Sequence, residues 1–167
     1  MIEDQESAIR QKVIEGFNGD IEEFVQRRKA KGFSQKALAE ALGFFDAAVI
    51  GHFETKVFNL DSRSHTLFLL ITDFHPRYRL KKKDGVVDGD LLVQAPSGKK
   101  IRATRIKANA MTQLKMARLL ELNGKTIISK YENEQKSPSV ANWTVFLLLS
   151  NQHPFYELAP VQEASNN

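Results

Sequence analysis

The sequence predicts an all-α chain built from two tandem units of four to five short helices each. Three observations carry that expectation. The chain resembles itself at a shift of 78 residues, apolar residues recur at helical spacing inside each copy, and capping residues stand at the segment starts.

The repeat comes first because it sets the domain plan. Phe24 to Leu80 aligns without a gap on Arg102 to Leu158, with 16 identities in 57 positions. Chance matching at this composition would give roughly three or four. The identities include Arg27/Arg105, Gln35/Gln113, Ala39/Ala117, Ile50/Ile128, Glu54/Glu132 and the paired ends His75-Pro76 and His153-Pro154. The division that follows is an acidic N-terminal helix over 1–19, a first unit over 20–80, a linker over 81–98, a second unit over 99–158 and a flexible tail over 159–167.

Taken in order, an amphipathic helix is expected from about Asp4 to Phe17. Asp20 caps the next helix, with Glu23 three residues on as a capping box. Ser34 caps QKALAEAL, and DAAVIGHFETK supplies the helix after it. In the linker, Val86 to Val93 carries two Asp-Gly steps that suit a small β-hairpin. Ser97 then caps a helix through IRATRIKAN, and Thr112 caps QLKMARLL, whose Met116, Leu119 and Leu120 form one apolar stripe. Asn123 is the capping candidate ahead of GKTIISKYEN, where Ile127, Ile128 and Tyr131 face inward. Ser137-Pro138 opens the last helix, which carries Trp143, Phe146, Leu147 and Leu149 and stops before His153-Pro154. His65 aligns with Trp143 and is expected half-buried, while His75 and His153 read as packing or capping residues.

Composition narrows the function classes. The chain has 167 residues, 42% of them apolar, and no cysteine, which excludes disulfides, thiolate metal sites and a thiol nucleophile. Four scattered histidines lack ligand spacing, so neither a metal nor another cofactor is expected. No phosphate loop is present, and Ser129-Lys130 are neighbours on a helix that diverge in direction, so an enzyme is not expected. The N-terminus lacks signal-peptide character and the longest apolar run, Leu67 to Ile71, is too short for a bilayer; a cytoplasmic, nucleoid-associated protein is expected. Net charge is +4, unevenly placed: residues 1–23 hold seven acids and two bases, 24–80 nine bases and five acids, and 102–158 eight bases and four acids. A basic body suits phosphate neutralisation, although a lysine-rich solvated surface explains the same figures.

The stretch MTQLKMARLLELNGKTIISKYENEQKSPS resembles the Cro/CI-type (XRE) helix-turn-helix family. The resemblance rests on Thr112-Gln113, Ala117, the Ile128-Ser129-Lys130-Tyr131-Glu132 run and Ser137-Pro138-Ser139. One extra residue separates Leu120 from that run, and this longer turn is similar to the DNA-binding half of MqsA-type antitoxins, without their zinc-binding half.

The resemblance implies two lambda-repressor-like domains and a bacterial or mobile-element transcriptional regulator acting on double-stranded operator or promoter DNA. It places Gln113 on phosphate and Lys125, Thr126, Ser129 and Lys130 in the major groove, with Asn133 and Lys136 on the backbone. Glu132 takes a structural role. In the first unit only Gln35, His52 and Lys56 suit DNA, because Asp46, Ala47 and Ala48 stand where the second has Gly124, Lys125 and Thr126. Two half-sites about 34–36 Å apart, as direct repeats or imperfect palindromes, lie within reach of one chain, and a homodimer would carry four motifs. The alternative is an antitoxin-like or anti-activator-like protein whose first unit, or acidic N-terminal segment, holds a protein partner.

Overall fold

Eight helices and one two-stranded antiparallel sheet form the regular structure of the computed structural model, which describes residues 9–162. The first unit contains α1 (Ile21–Ala30), α2 (Gln35–Ala41), α3 (Val49–Glu54), α4 (Ser62–Ile71) and strand β1 (Tyr78–Lys82). The second repeats that order as α5 (Gly98–Lys107), α6 (Gln113–Leu119), α7 (Lys125–Glu132), α8 (Val140–Leu149) and β2 (Tyr156–Pro160). The all-α expectation is therefore corrected to a mostly helical chain with a small sheet. The sheet borrows from both flanking segments: β1 reaches into the expected linker and β2 into the expected tail.

Caps explain most helix starts. Asp20, Ser34, Ser97 and Thr112 each accept a hydrogen bond from the backbone N–H three residues on, as the sequence predicts. Two starts differ from expectation. Asn123 does not cap α7; Gly124 occupies that position and offers no side chain. Ser137-Pro138 does not open α8 either. The cap is Ser139, whose Oγ accepts from Asn142 N at 3.1 Å, leaving Pro138 buried just outside the helix.

The first expected helix and the linker hairpin are also corrected. Residues 9–20 contain no helix, and the remainder of that expectation lies outside the described residues. Residues 83–97 contain no strand. Both segments are extended arms whose backbone groups bond to side chains of their own unit. Glu15 N donates to Thr66 Oγ1 at 2.8 Å, and Val93 N donates to Thr144 Oγ1 at 3.0 Å. His75 Nε2 donates to Val13 O and His153 Nε2 to Leu91 O, each at 2.7 Å. Equivalent partners are 78 residues apart in every case, so the second half of the stretch read as a linker is the arm of the second unit.

Neutral histidines hold those arms. His75 Nδ1 accepts from the N–H of Arg77 and Tyr78, and His153 Nδ1 from Phe155 and Tyr156. With Nδ1 accepting and Nε2 donating, each ring is a neutral tautomer. Burial pushes both below the ordinary histidine value, and His65, fully buried rather than half-buried, is lowered for the same reason.

The gapless register fails in one place. The buried arginine of α5 is Arg105, and its structural counterpart is Arg28, not Arg27: each bonds the glutamate at the end of the third helix, and each donates Nη1 to a carbonyl just before the second, Phe33 or Met111. The first helices therefore correspond at a shift of 77. The loop after α5, 108–111, is one residue longer than its counterpart 31–33, which restores 78.

The two units pack on each other through equivalent elements. α4 lies against α8, and β1 pairs with β2. Leu80 faces Leu158, its own equivalent, while Arg79↔Ala159 and Tyr78↔Pro160 are matched by Lys81↔Glu157 and Lys82↔Tyr156. Exchanging the units maps this set of pairs onto itself, which is the signature of a two-fold axis through the Leu80–Leu158 pair. Further contacts join the units: Gly43 admits Val140, whose Cβ would lie 3.1 Å from a Cβ at 43, and Glu121 receives Arg63 Nη1 on its carbonyl at 3.2 Å.

Candidate functional site

The second unit sets its third helix, α7, on a buried ionic anchor. Glu132, at the end of α7, accepts from Arg105 Nε at 2.6 Å and from Gln113 Nε2 at 2.5 Å. The Arg105 and Glu132 side chains are 10% and 7% exposed, so the pair is shielded from water. Arg105 also donates to Met111 O at 2.6 Å. One side-chain cluster thus ties α5, the start of α6 and the end of α7 together. Ile128 and Tyr131 complete the seating by entering the core.

With that face fixed, the opposite face is open. Lys125, Thr126 and Lys130 are exposed, Ser129 is half-exposed, and Asn133 and Lys136 are exposed beyond the helix end. Asn133 Nδ2 donates to Ser129 Oγ at 3.3 Å, drawing those two polar groups into one patch. Gln113 is half-buried, and one of its two amide hydrogens is committed to Glu132; the other is left for an external acceptor.

Sequence reasoning missed two residues here. Lys99 and Arg102, exposed on the first turns of α5, line a groove of about 550 Å³ shared with Gln113 and Asn133, the paired Arg105 and Glu132, and Glu134. The cluster GKKIR is legible as basic, but nothing local in it points to the α7 face. A close approach brings these residues in. Gly98, the first residue of α5, sits so near α7 that a Cβ there would collide with the Glu132 carbonyl. Gly98 N donates to Glu134 Oε1 at 3.2 Å.

The first unit keeps the anchor and changes the open face. Arg28 Nε donates to Glu54 Oε1 at 2.6 Å and Gln35 Nε2 to Glu54 Oε2 at 2.7 Å. Gln35, His52 and Lys56 are exposed, as their expected role requires. Ahead of α3, however, Phe45 is fully exposed, followed by exposed Asp46, Ala47 and Ala48, and Val57 is 72% exposed just past the helix. Where α5 opens on Lys99 and Lys100, α1 opens on Glu22 and Glu23. The two equivalent faces are thus chemically unlike, one mainly cationic and the other mixed, with exposed Phe45 and Val57 among Asp46, His52 and Lys56 and an acidic border.

Among the described residues no group of three or more His, Asp or Glu side chains is placed to hold a metal ion, and no helix is long and apolar enough to cross a membrane. No family model, curated protein or solved structure matches this chain.

Proposed function

We propose that the chain is a sequence-specific double-stranded DNA-binding protein and a transcriptional regulator, with α2–α3 and α6–α7 acting as helix-turn-helix pairs. The observation that carries this reading is the seating of α7. Its glutamate is neutralised inside the protein while its lysines point outward, the distribution a helix needs to approach polyphosphate. An unpaired carboxylate facing DNA would be repelled; here Glu132, at the floor of the groove, has its charge matched by Arg105 at 2.6 Å. The resemblance of residues 111–139 to Cro/CI-type regulators supports the same assignment.

Roles follow from position. Lys125 and Lys130 donate to guanine O6 and N7, and the Thr126 methyl meets a thymine methyl. Gln113, Lys99 and Arg102, around one groove at the helix starts, hold a phosphate of the same strand, with Asn133 and Lys136 on the backbone beyond. The test is a gel shift on the DNA upstream of the gene. Lys125→Ala with Lys130→Ala should flatten preference between specific and random duplexes, whereas Lys99→Ala with Arg102→Ala should weaken all duplexes alike and reduce the salt slope. Unchanged sequence preference in the first pair sinks the base-reading role.

A second reading has one observation in its favour. The exposed Phe45 and Val57 would suit a protein partner held by the first unit, as in an antitoxin or anti-activator. A pull-down that loses its partner on Phe45→Ala, with DNA affinity unchanged, would favour it.

A further inference from the structure

We infer that one chain, acting alone, binds an inverted pair of unlike half-sites: a guanine-bearing one under α7 and a thymine-rich one under α3. This rests on the DNA-binding reading and fixes what that reading leaves open, namely orientation, stoichiometry and asymmetry.

Orientation comes from the internal two-fold axis. Because Leu80 pairs with its own equivalent Leu158 in an antiparallel ladder, and α4 with its equivalent α8, the units are related by rotation and not by translation. Two reading helices related by such an axis meet a duplex in opposite directions, so their half-sites are inverted; direct repeats would need a translational relation.

Stoichiometry comes from what already covers the dimer face. In a single-motif repressor a two-fold site needs two chains. Here the second set of elements lies in the same chain, with Leu158 only 1% exposed and Arg63 bridging to Asn142 Oδ1 at 3.1 Å and to the carbonyls of Leu120 and Glu121. The interface that dimerisation would use is occupied from within.

Asymmetry comes from the open faces. The positions of Lys125 and Thr126 are taken in the first unit by Ala47 and Ala48, and Phe45 stands fully exposed beside them. Ala47 and Ala48 lie in the turn just before α3, whereas Lys125 and Thr126 are the first residues of α7; such small apolar side chains cannot donate to guanine, but they fit the C5-methyl of thymine. Asp46 Oδ1 accepts from Ala48 N at 2.8 Å, which ties the carboxylate to the turn before α3, and its exposed negative charge weakens this element's hold on DNA further. Glu22 and Glu23 in place of Lys99 and Lys100 make the α3 side poorer in phosphate contacts, so the second unit supplies most of the salt-dependent affinity.

The experiment uses the full chain. Duplexes are selected from a random library, and the complex on the best one is weighed by sedimentation. The expected result is one chain per duplex and a motif of two inverted, dissimilar elements. Deoxyuridine is then placed for thymine in each element. Each methyl lost from the α3 element should weaken binding about four-fold, the effect of one buried CH₂-sized group, and Phe45→Ala should reduce that sensitivity. Lys125→Ala should weaken binding while leaving the uracil effect in place. Two chains per site, a direct repeat, identical half-sites, or a footprint confined to one element would overturn the inference while leaving DNA binding standing. Failure to select any duplex would overturn the DNA-binding reading itself and this inference with it.

Discussion

Replacing Arg105 by alanine tests the ionic anchor beneath α7. The substitution removes the guanidinium that faces Glu132 at 2.6 Å and leaves a carboxylate only 7% exposed with the Gln113 amide as its remaining partner. It also frees Met111 O, which Arg105 Nη1 satisfies at 2.6 Å. Breaking one side of a buried pair costs about 3–5 kcal/mol, because the charge left behind is desolvated without compensation. For a chain of this length each kcal/mol lowers the melting temperature by about 2–4 °C, so a fall of about 6–20 °C is expected. Circular dichroism during heating and in urea measures it. Arg28→Ala should behave alike, since Arg28 and Glu54 have side chains 7% and 8% exposed in the same arrangement. The double replacement Arg105→Met with Glu132→Leu removes both charges and should recover most of the loss. A single Arg105→Ala loss below about 1 kcal/mol, the range of a solvated surface pair, would refute the claim that this bond anchors α7.

Four further outcomes follow from the same geometry. His65, His75 and His153 are held by burial below the ordinary histidine value of 6.5, so under acid the folded chain binds fewer protons than the unfolded one. Their contribution is complete above pH 6.5 and declines as pH falls below it, so the urea midpoint should drop between about pH 7.5 and pH 5. Gly98→Ala forces a methyl into the Glu132 carbonyl and should cost about 1–3 kcal/mol in urea unfolding, with α7 displaced. Leu158→Ala, at a side chain 1% exposed on the internal axis, should cost about 2–5 kcal/mol, and Leu80→Ala, half-buried, should cost less in the same assay. Thr112→Ala removes the cap whose oxygen accepts from Lys115 N at 3.1 Å and should lower stability by about 1 kcal/mol in thermal melts.

Local signals in the sequence locate the helices well and the arms badly. Asp20, Ser34, Ser97 and Thr112 act within three residues of themselves, so their caps can be read without any tertiary knowledge. The arms cannot. Residues 9–17 carry apolar positions that suit a helix, but the Glu15 N–H and the Val13 C=O are claimed by Thr66 and His75, 51 and 62 residues away. Such bonds have no local trace. The shift between Arg27 and Arg28 is a related case: identity aligns Arg105 with Arg27, while the buried pairing with Glu54 selects Arg28. On the open face, Lys125, Thr126 and Lys130 are legible because the flanking apolar residues Ile128 and Tyr131 fix which side is inward. Lys99 and Arg102 are not, because they join the face only through the close contact at Gly98.

The same duplication explains how the two open faces could become unlike. Two identical chains meeting on a two-fold axis must carry the same residues at both heads, so a change that suits one half-site is imposed on the other. Joining the copies in one chain removes that constraint while the axis itself is kept by Leu80, Leu158, α4 and α8. What stays common to the units is then the anchor: Gln35 with Glu54 and Arg28, Gln113 with Glu132 and Arg105. What differs is everything the anchor turns outward. A face that needed only to be solvated would gain nothing from a fully exposed Phe45 beside two alanines, whereas a face that meets an apolar group, whether the base methyls proposed above or a protein partner, would.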